Sequence, residues 1–180
     1  MEQSKAGHTE TGSAVSTVLS VLVDRLKEEH IELKKSISDL AVRAKAVKSE
    51  QDLGTASHEL FQLRLHAMSF REKLEQHSAW EEEILFPFLS SYFDQSIKPS
   101  LLGSLWTLEK DHELGDDYLQ SFLRTADEIK TVSDRKRMHA AADELIQACC
   151  ILGKHLESEE QIVFPLTETV LVDMELLFCT

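Results

Sequence analysis

Apolar residues recurring three and four positions apart mark four stretches of the chain as amphipathic helices. The first stripe is Leu19, Leu22, Leu26, His30, Leu33, Ile37, Leu40 and Ala44. The second runs Leu60, Leu63, Ala67, Phe70, Leu74, His77, Glu81, Ile84 and Phe88. A third follows Pro99, a residue favoured in the first turn of a helix, and reads Leu101, Leu105, Leu108, His112, Gly115, Leu119 and Phe122. The fourth opens near Ser133, whose hydroxyl can cap free N–H groups, and continues through Ala142, Leu145, Cys149, Leu152, His155, Glu159, Val163 and Leu166. Ser49 to Thr55 around Gly54, Asp94 to Pro99, and Lys130 to Asp134 carry loop chemistry. Connections this short join antiparallel neighbours, so the expected fold is all-α, an up-down-up-down four-helix bundle. Residues 1–14 are expected to precede it as a flexible segment and 15–166 to form it. Residues 167–180, with Val170, Leu171, Leu176, Leu177 and Phe178, are expected to add a short helix capping one end, in preference to a contact surface for another subunit.

Every stripe is interrupted where an apolar side chain should stand. His30, His77, Glu81, His112, His155 and Glu159 all lie on the seams. A carboxylate buried without a partner costs several kcal/mol, so two of them call for protons, cations or metal. The four histidines also share a level. In an antiparallel hairpin, two residues stand at one height when the midpoint of their numbers falls in the turn. That midpoint lies beside Gly54 for His30 and His77, beside Asp94 for His77 and His112, and between Ser133 and Asp134 for His112 and His155. His139 with Asp143 has the same local spacing but sits about 160° around the helix from His155, and is expected to face water.

The chain also repeats itself. His77-Ser-Ala-Trp-Glu81-Glu-Glu-Ile-Leu-Phe86-Pro87 matches His155-Leu-Glu-Ser-Glu159-Glu-Gln-Ile-Val-Phe164-Pro165. Leu26-Lys-Glu-Glu-His30 matches Leu108-Glu-Lys-Asp-His112 more loosely, so the chain reads as two related helical hairpins. In His-x-x-x-Glu on a helix, both side chains leave one face about one turn apart. The imidazole can then bind one metal while the carboxylate bridges to its neighbour. Two such motifs give two bridging glutamates, and four histidines give each metal about two nitrogens. Mixed imidazole and carboxylate ligation suits iron or manganese, with zinc as a further option.

These residues resemble the hemerythrin-like, or HHE cation-binding, family from about Val15 to Leu166. The resemblance implies two non-haem iron ions, with His30, His77, His112 and His155 as nitrogen ligands and Glu81 and Glu159 as bridging carboxylates. It also implies a small diatomic ligand such as O2 or NO. True hemerythrins carry a fifth histidine in a His-x-x-x-His pair on the third helix, whereas Leu108 and Asp116 flank His112 here. Asp116 is the candidate extra or supporting ligand, while His66, about 16 Å along the helix from His77, and His58 are expected at the surface. Gly115 is expected to leave room beside the metals for the gas. Glu82 and Glu160 could steady the ligands by hydrogen bonds. Three functions fit such a layer. The first is binding or sensing a diatomic gas, or handling iron. The second is an enzyme that reduces peroxide or nitric oxide, or donates iron for iron–sulfur repair. The third is a metal-free bundle with a polar core.

Composition narrows the partners. A formal net charge of −13 disfavours phosphate backbones and anionic lipid, so neither nucleic acid nor a membrane is an expected partner. Met1 to Ser13 lacks a basic start with an apolar run, and no apolar stretch is long enough to span a bilayer; a cytoplasmic location is expected. The three cysteines form no disulfide framework, and Cys149 and Cys150 are expected to be buried as small apolar groups. Trp80 and Trp106 are expected to pack in the core or at an interface.

Overall fold

Leu and Glu, both good helix formers, are abundant in a chain with six Gly and three Pro, and helix follows nearly everywhere. The computed structural model describes the backbone of residues 7–93, 98–129 and 134–178, and the side chains of 19–93, 100–129 and 134–176. Helix α1 spans Gly7–Ser49, so it begins inside the segment expected to precede the bundle. Helix α2 spans Leu53–Trp80 and passes through a π-helical turn, Glu81–Leu85, into α3, Phe86–Tyr92. Helix α4 spans Lys98–Glu128 and α5 spans Arg135–Phe178.

The helix starts are set by acidic caps. Asp52 accepts a 2.8 Å hydrogen bond from the Thr55 N–H at the start of α2. Asp134 does the same for the Lys136 N–H, at 2.9 Å, before α5. The expected cap Ser133 lies outside the described residues, as does most of the Asp94 to Pro99 and Lys130 to Asp134 turns.

Helix α1 packs on α2 and α5, and α4 packs on α2 and α5. Ion pairs tie these neighbours at several levels. Lys27–Glu168 and Lys48–Asp143 join α1 to α5. Lys73–Glu32 joins α2 to α1, and Arg64–Asp127 and Arg71–Asp116 join α2 to α4. The buried stripes form two apolar clusters. One contains Leu33, Leu40, Leu63, Phe70, Leu74, Phe122, Leu145 and Leu152; the other contains Leu26, Leu85, Phe86, Leu89, Leu108, Val163 and Val170. Each buried Leu or Phe contributes roughly 1.5–3 kcal/mol of transfer free energy, so both clusters are strong enough to hold a polar layer between them. That layer is the buried set His30, His77, Glu81, His112, His155 and Glu159.

The structure corrects several expectations. Ile84 is 54% exposed, while Leu85, Phe86 and Leu89 are buried. The π turn is the reason. The Phe86 N–H bonds to the Glu81 carbonyl, five residues back. The wider turn brings Leu85, rather than Ile84, onto the face that Glu81 begins.

At the second copy of the motif, α5 runs on through Pro165 to Phe178 and forms no separate capping helix. Fully buried Thr167 and Val170 hold this part to the bundle, with Leu166 only half-buried. The Thr167 hydroxyl is satisfied by a 2.8 Å bond to the Phe164 carbonyl. The adjacent cysteines part company, because neighbours on a helix point about 100° apart: Cys149 is buried and Cys150 exposed. Trp80 packs partly against the second cluster, but Trp106 is 59% exposed. His139 is half-buried, whereas Asp143 reaches solvent beside Lys48. Among the described residues, no helix is long and apolar enough to cross a membrane.

Candidate metal centre

Four elements aim side chains into one layer. His30 comes from α1, His77 from α2, Glu81 from the π turn, His112 from α4, and His155 and Glu159 from α5. Glu159 spans the layer with its two oxygens. Its Oε1 lies 3.2 Å from His155 Nε2, and its Oε2 lies 3.2 Å from His30 Nε2 and 3.9 Å from His77 Nε2. Glu81 Oε2 sits 3.5 Å from His77 Nε2 and 3.6 Å from His112 Nε2. Two overlapping sets result: His30, His77, Glu81 and Glu159, and Glu81, His112, His155 and Glu159. Within each, the ligand atoms lie within 4.8 Å of one another. The sequence left open which histidine serves which position; the structure groups them by hairpin, with both glutamates shared.

These atoms lack protein partners. The Nε2 atoms of His30, His77, His112 and His155 and all four carboxylate oxygens of Glu81 and Glu159 are buried without a hydrogen bond. Even the 3.2 Å approaches are not aligned as hydrogen bonds. Orphaned polar groups at this depth cost about 1–3 kcal/mol each. Eight of them facing one space fit a cation, which accepts lone pairs from every direction.

The electrostatics agree. Burial, then the proximity of His155, pushes His112 down to about 3, so its imidazole is neutral and holds a lone pair at physiological pH. Burial and the adjacent Glu159 charge push Glu81 well above the usual carboxylate range. Burial also pushes Glu159 upward, but the imidazoles of His155, His30 and His77 outweigh it and hold it well below that range. Without a cation, the pair carries about one negative charge between two carboxyls.

Behind the ligands stand carboxylates. His112 Nδ1 meets Glu82 Oε1 at 2.8 Å, His77 Nδ1 meets Glu29 Oε2 at 3.2 Å, and His30 Nδ1 lies 3.6 Å from Glu160 Oε1. The two hydrogen-bonded partners, Glu82 and Glu29, fix the orientation of their rings and make them better donors, whereas His30 Nδ1, like His155 Nδ1, is buried without a hydrogen bond. Glu82 and Glu160 stand where the sequence suggested, each reaching into the other hairpin. Glu29 was missed: it precedes His30 yet serves His77 on the facing helix, and no spacing within one helix signals that.

Two sequence candidates have other duties. Asp116 is clamped by Arg71, with bonds of 2.5 and 3.0 Å, and accepts from Gln120 at 2.6 Å. Burial raises its pKa, but these donors win and hold it below its ordinary value. Gly115 leaves no free room, since a Cβ there would meet Leu152 Cδ2 at 2.4 Å. The glycine admits the leucine, not a gas. His58 and His66 are exposed, as expected. Small clefts do reach the layer elsewhere. One of about 170 Å³ between α2 and α4 is lined by Arg71, Ser78, His112 and Asp116, and one of about 160 Å³ between α1 and α2 by Glu29, Lys73 and His77.

A helical bundle with a buried layer of four histidines and two shared glutamates defines a cation-binding four-helix protein. Residues 21–167 match the hemerythrin HHE cation binding domain, and the chain belongs to that family. Comparison with curated proteins and with solved structures returned no match.

Proposed function

We propose that the chain holds two non-haem iron ions and uses them to bind or sense a diatomic gas, O2 or NO, or to handle iron. His30 and His77 would hold one ion and His112 and His155 the other, with Glu81 and Glu159 common to both groups. The observation that carries this reading is the convergence of eight buried, unpartnered ligand atoms on one space. The mixed imidazole and carboxylate, thiolate-free donor set suits iron, with manganese and zinc as alternatives. Bound iron would supply reversible redox and an open coordination position. The protein's own part is to keep His112 neutral, to hold two carboxyls apart from water, and to admit a small molecule by the clefts at His77 and His112. The cross-links between neighbouring helices support an up-down-up-down course, with residues 15–166 as the bundle. A cytoplasmic location and partners other than nucleic acid or membrane belong to the same reading.

A second reading is an enzyme that reduces peroxide or nitric oxide, or donates iron for cluster repair. It is favoured by the polar cleft at His112, where Glu75, Ser78 and Glu113 could carry protons inward. Metal analysis of protein purified without chelator, beside the Glu81→Ala, Glu159→Ala double variant, tests the shared premise. About two irons per chain, lost in the variant, are expected. No metal after anaerobic iron has been offered would overturn it. Reversible oxygenation or nitrosylation without product selects the first reading, and turnover selects the second.

A further inference from the structure

Trp106 is accounted for neither by the polar layer nor by the core. It stands 59% exposed on α4, one turn beyond Leu102, which is 45% exposed. A tryptophan left this open is unusual, because so large an apolar surface is more often covered. Trp106 and Leu102 form one wall of a groove of about 420 Å³, and Phe86 and Pro87 of α3 form the other. Glu82 and Glu109 supply its carboxylates, and among the described residues that line it none is basic. Glu109 makes no ion pair or hydrogen bond among the described residues. Glu82 is exposed toward solvent while its Oε1 meets His112 Nδ1 at 2.8 Å. The groove is therefore apolar between two acids, and one of those acids belongs to the layer as well.

We infer that this groove docks a segment of a partner protein that presents an arginine or lysine beside an apolar side chain. The apolar walls take the hydrophobic side chain. The Trp106 ring face and the unpaired Glu109 carboxylate take the cation, by ring attraction and by a charged hydrogen bond. Tryptophan and arginine are also the residues on which protein interfaces concentrate their binding energy. Charge decides what kind of partner fits. At a net charge of −13, a second copy of this chain would bring like charge to an acid-edged groove, whereas a basic segment is drawn to it. The open walls decide its size. A small-molecule pocket encloses most of its ligand, but Trp106 and Leu102 stand half in solvent and suit side chains carried on a larger surface. Docking here sets the partner against Glu82, the carboxylate that holds the His112 ring.

None of this depends on which metal the layer holds, so the test is made on the full chain as purified. Nitrogen-15-labelled protein is titrated with the synthetic peptide amide Leu-Arg-Leu-Leu-Arg, and with Leu-Glu-Leu-Leu-Glu as its acidic counterpart, and followed by NMR. The arginine peptide should shift the Trp106 indole N–H and the Leu102 and Ser90 amides along one saturable curve, and the acidic peptide should leave them in place. Trp106→Ala should weaken binding by about 10-fold or more, read at Leu102 and Ser90. Glu109→Gln should weaken it by about 2–5-fold. Glu72→Gln, which removes an exposed acid of α2 outside the groove, should not change it. Thermal melting checks that each variant is folded. Shifts spread over the acidic surface without saturation at Trp106, or undiminished binding to folded Trp106→Ala, would overturn the inference. So would groove shifts that appear on concentrating the protein without peptide, because a second copy would then be the occupant.

Discussion

The His30/His77 half and the His112/His155 half carry the same ligand types on unlike surroundings. Their imidazole centroids stand 5.1 Å apart in the first and 4.2 Å in the second. Leu33 in the first half corresponds to Gly115 in the second, where Leu152 fills the space a side chain would take and α4 and α5 can close up. Lys34 corresponds to Asp116. Lys34 draws Glu160 to 2.9 Å, leaving it 3.6 Å from His30, whereas Glu82 sits 2.8 Å from His112. Asp116 turns instead to Arg71. The backbone differs too, with a π turn at Glu81 and an unbroken helix at Glu159. The repeat has kept the residues that face the centre and the Glu82/Glu160 pair behind them, and has changed Leu33 to Gly115, Lys34 to Asp116 and the backbone at the glutamate. Equal candidate ligands therefore stand in unequal surroundings.

The comparison can be broken from several sides. Leu33→Ala should cost about 2–5 kcal/mol, since Leu33 is buried in the larger apolar cluster and its loss leaves a cavity; chemical denaturation measures it. The Glu81→Met, Glu159→Met double variant should erase the metal from both halves and yet stabilise the metal-free protein by about 1–4 kcal/mol. Apolar side chains there would replace a layer that is costly without a cation. A lower melting temperature than the metal-free native protein would mean that the carboxyls serve the fold instead. Filling the glycine, by Gly115→Ala, should cost about 1–3 kcal/mol, because Leu152 lies in a packed core and must shift.

The smallest effect is at Asp116. Both partners of its ion pair are about a third exposed, so solvent screening limits Asp116→Asn to about 0.5–1 kcal/mol at neutral pH. The sign with pH follows from the depressed folded value. The contribution is full above the ordinary carboxyl value of 3.8 and is lost as pH falls through the lower folded one. Acid denaturation of Asp116→Asn should converge on that of the native protein at the acid end of the profile.

The six site residues were legible because burying His and Glu on an apolar stripe breaks a pattern that is otherwise kept over four helices. Their common height was legible because short turns fix antiparallel register. Ile84 was misread because hydrophobic spacing assumes a constant turn, and a π turn runs through Glu81–Leu85. The long reach of α5 was hidden by Pro165, a residue that ends many helices but here is carried through by the burial of Thr167 and Val170. Glu29 and the Arg71–Asp116 clamp were invisible for another reason. They act between helices, and their partners depend on side-chain direction across an interface rather than on spacing along one strand of sequence.

A crystal structure of the iron-loaded protein, with anomalous difference maps at the iron edge, tests the central claim most directly. Two peaks are expected, one among His30, His77, Glu81 and Glu159 and one among His112, His155, Glu81 and Glu159. A single peak, or iron bound away from this layer, would contradict the account.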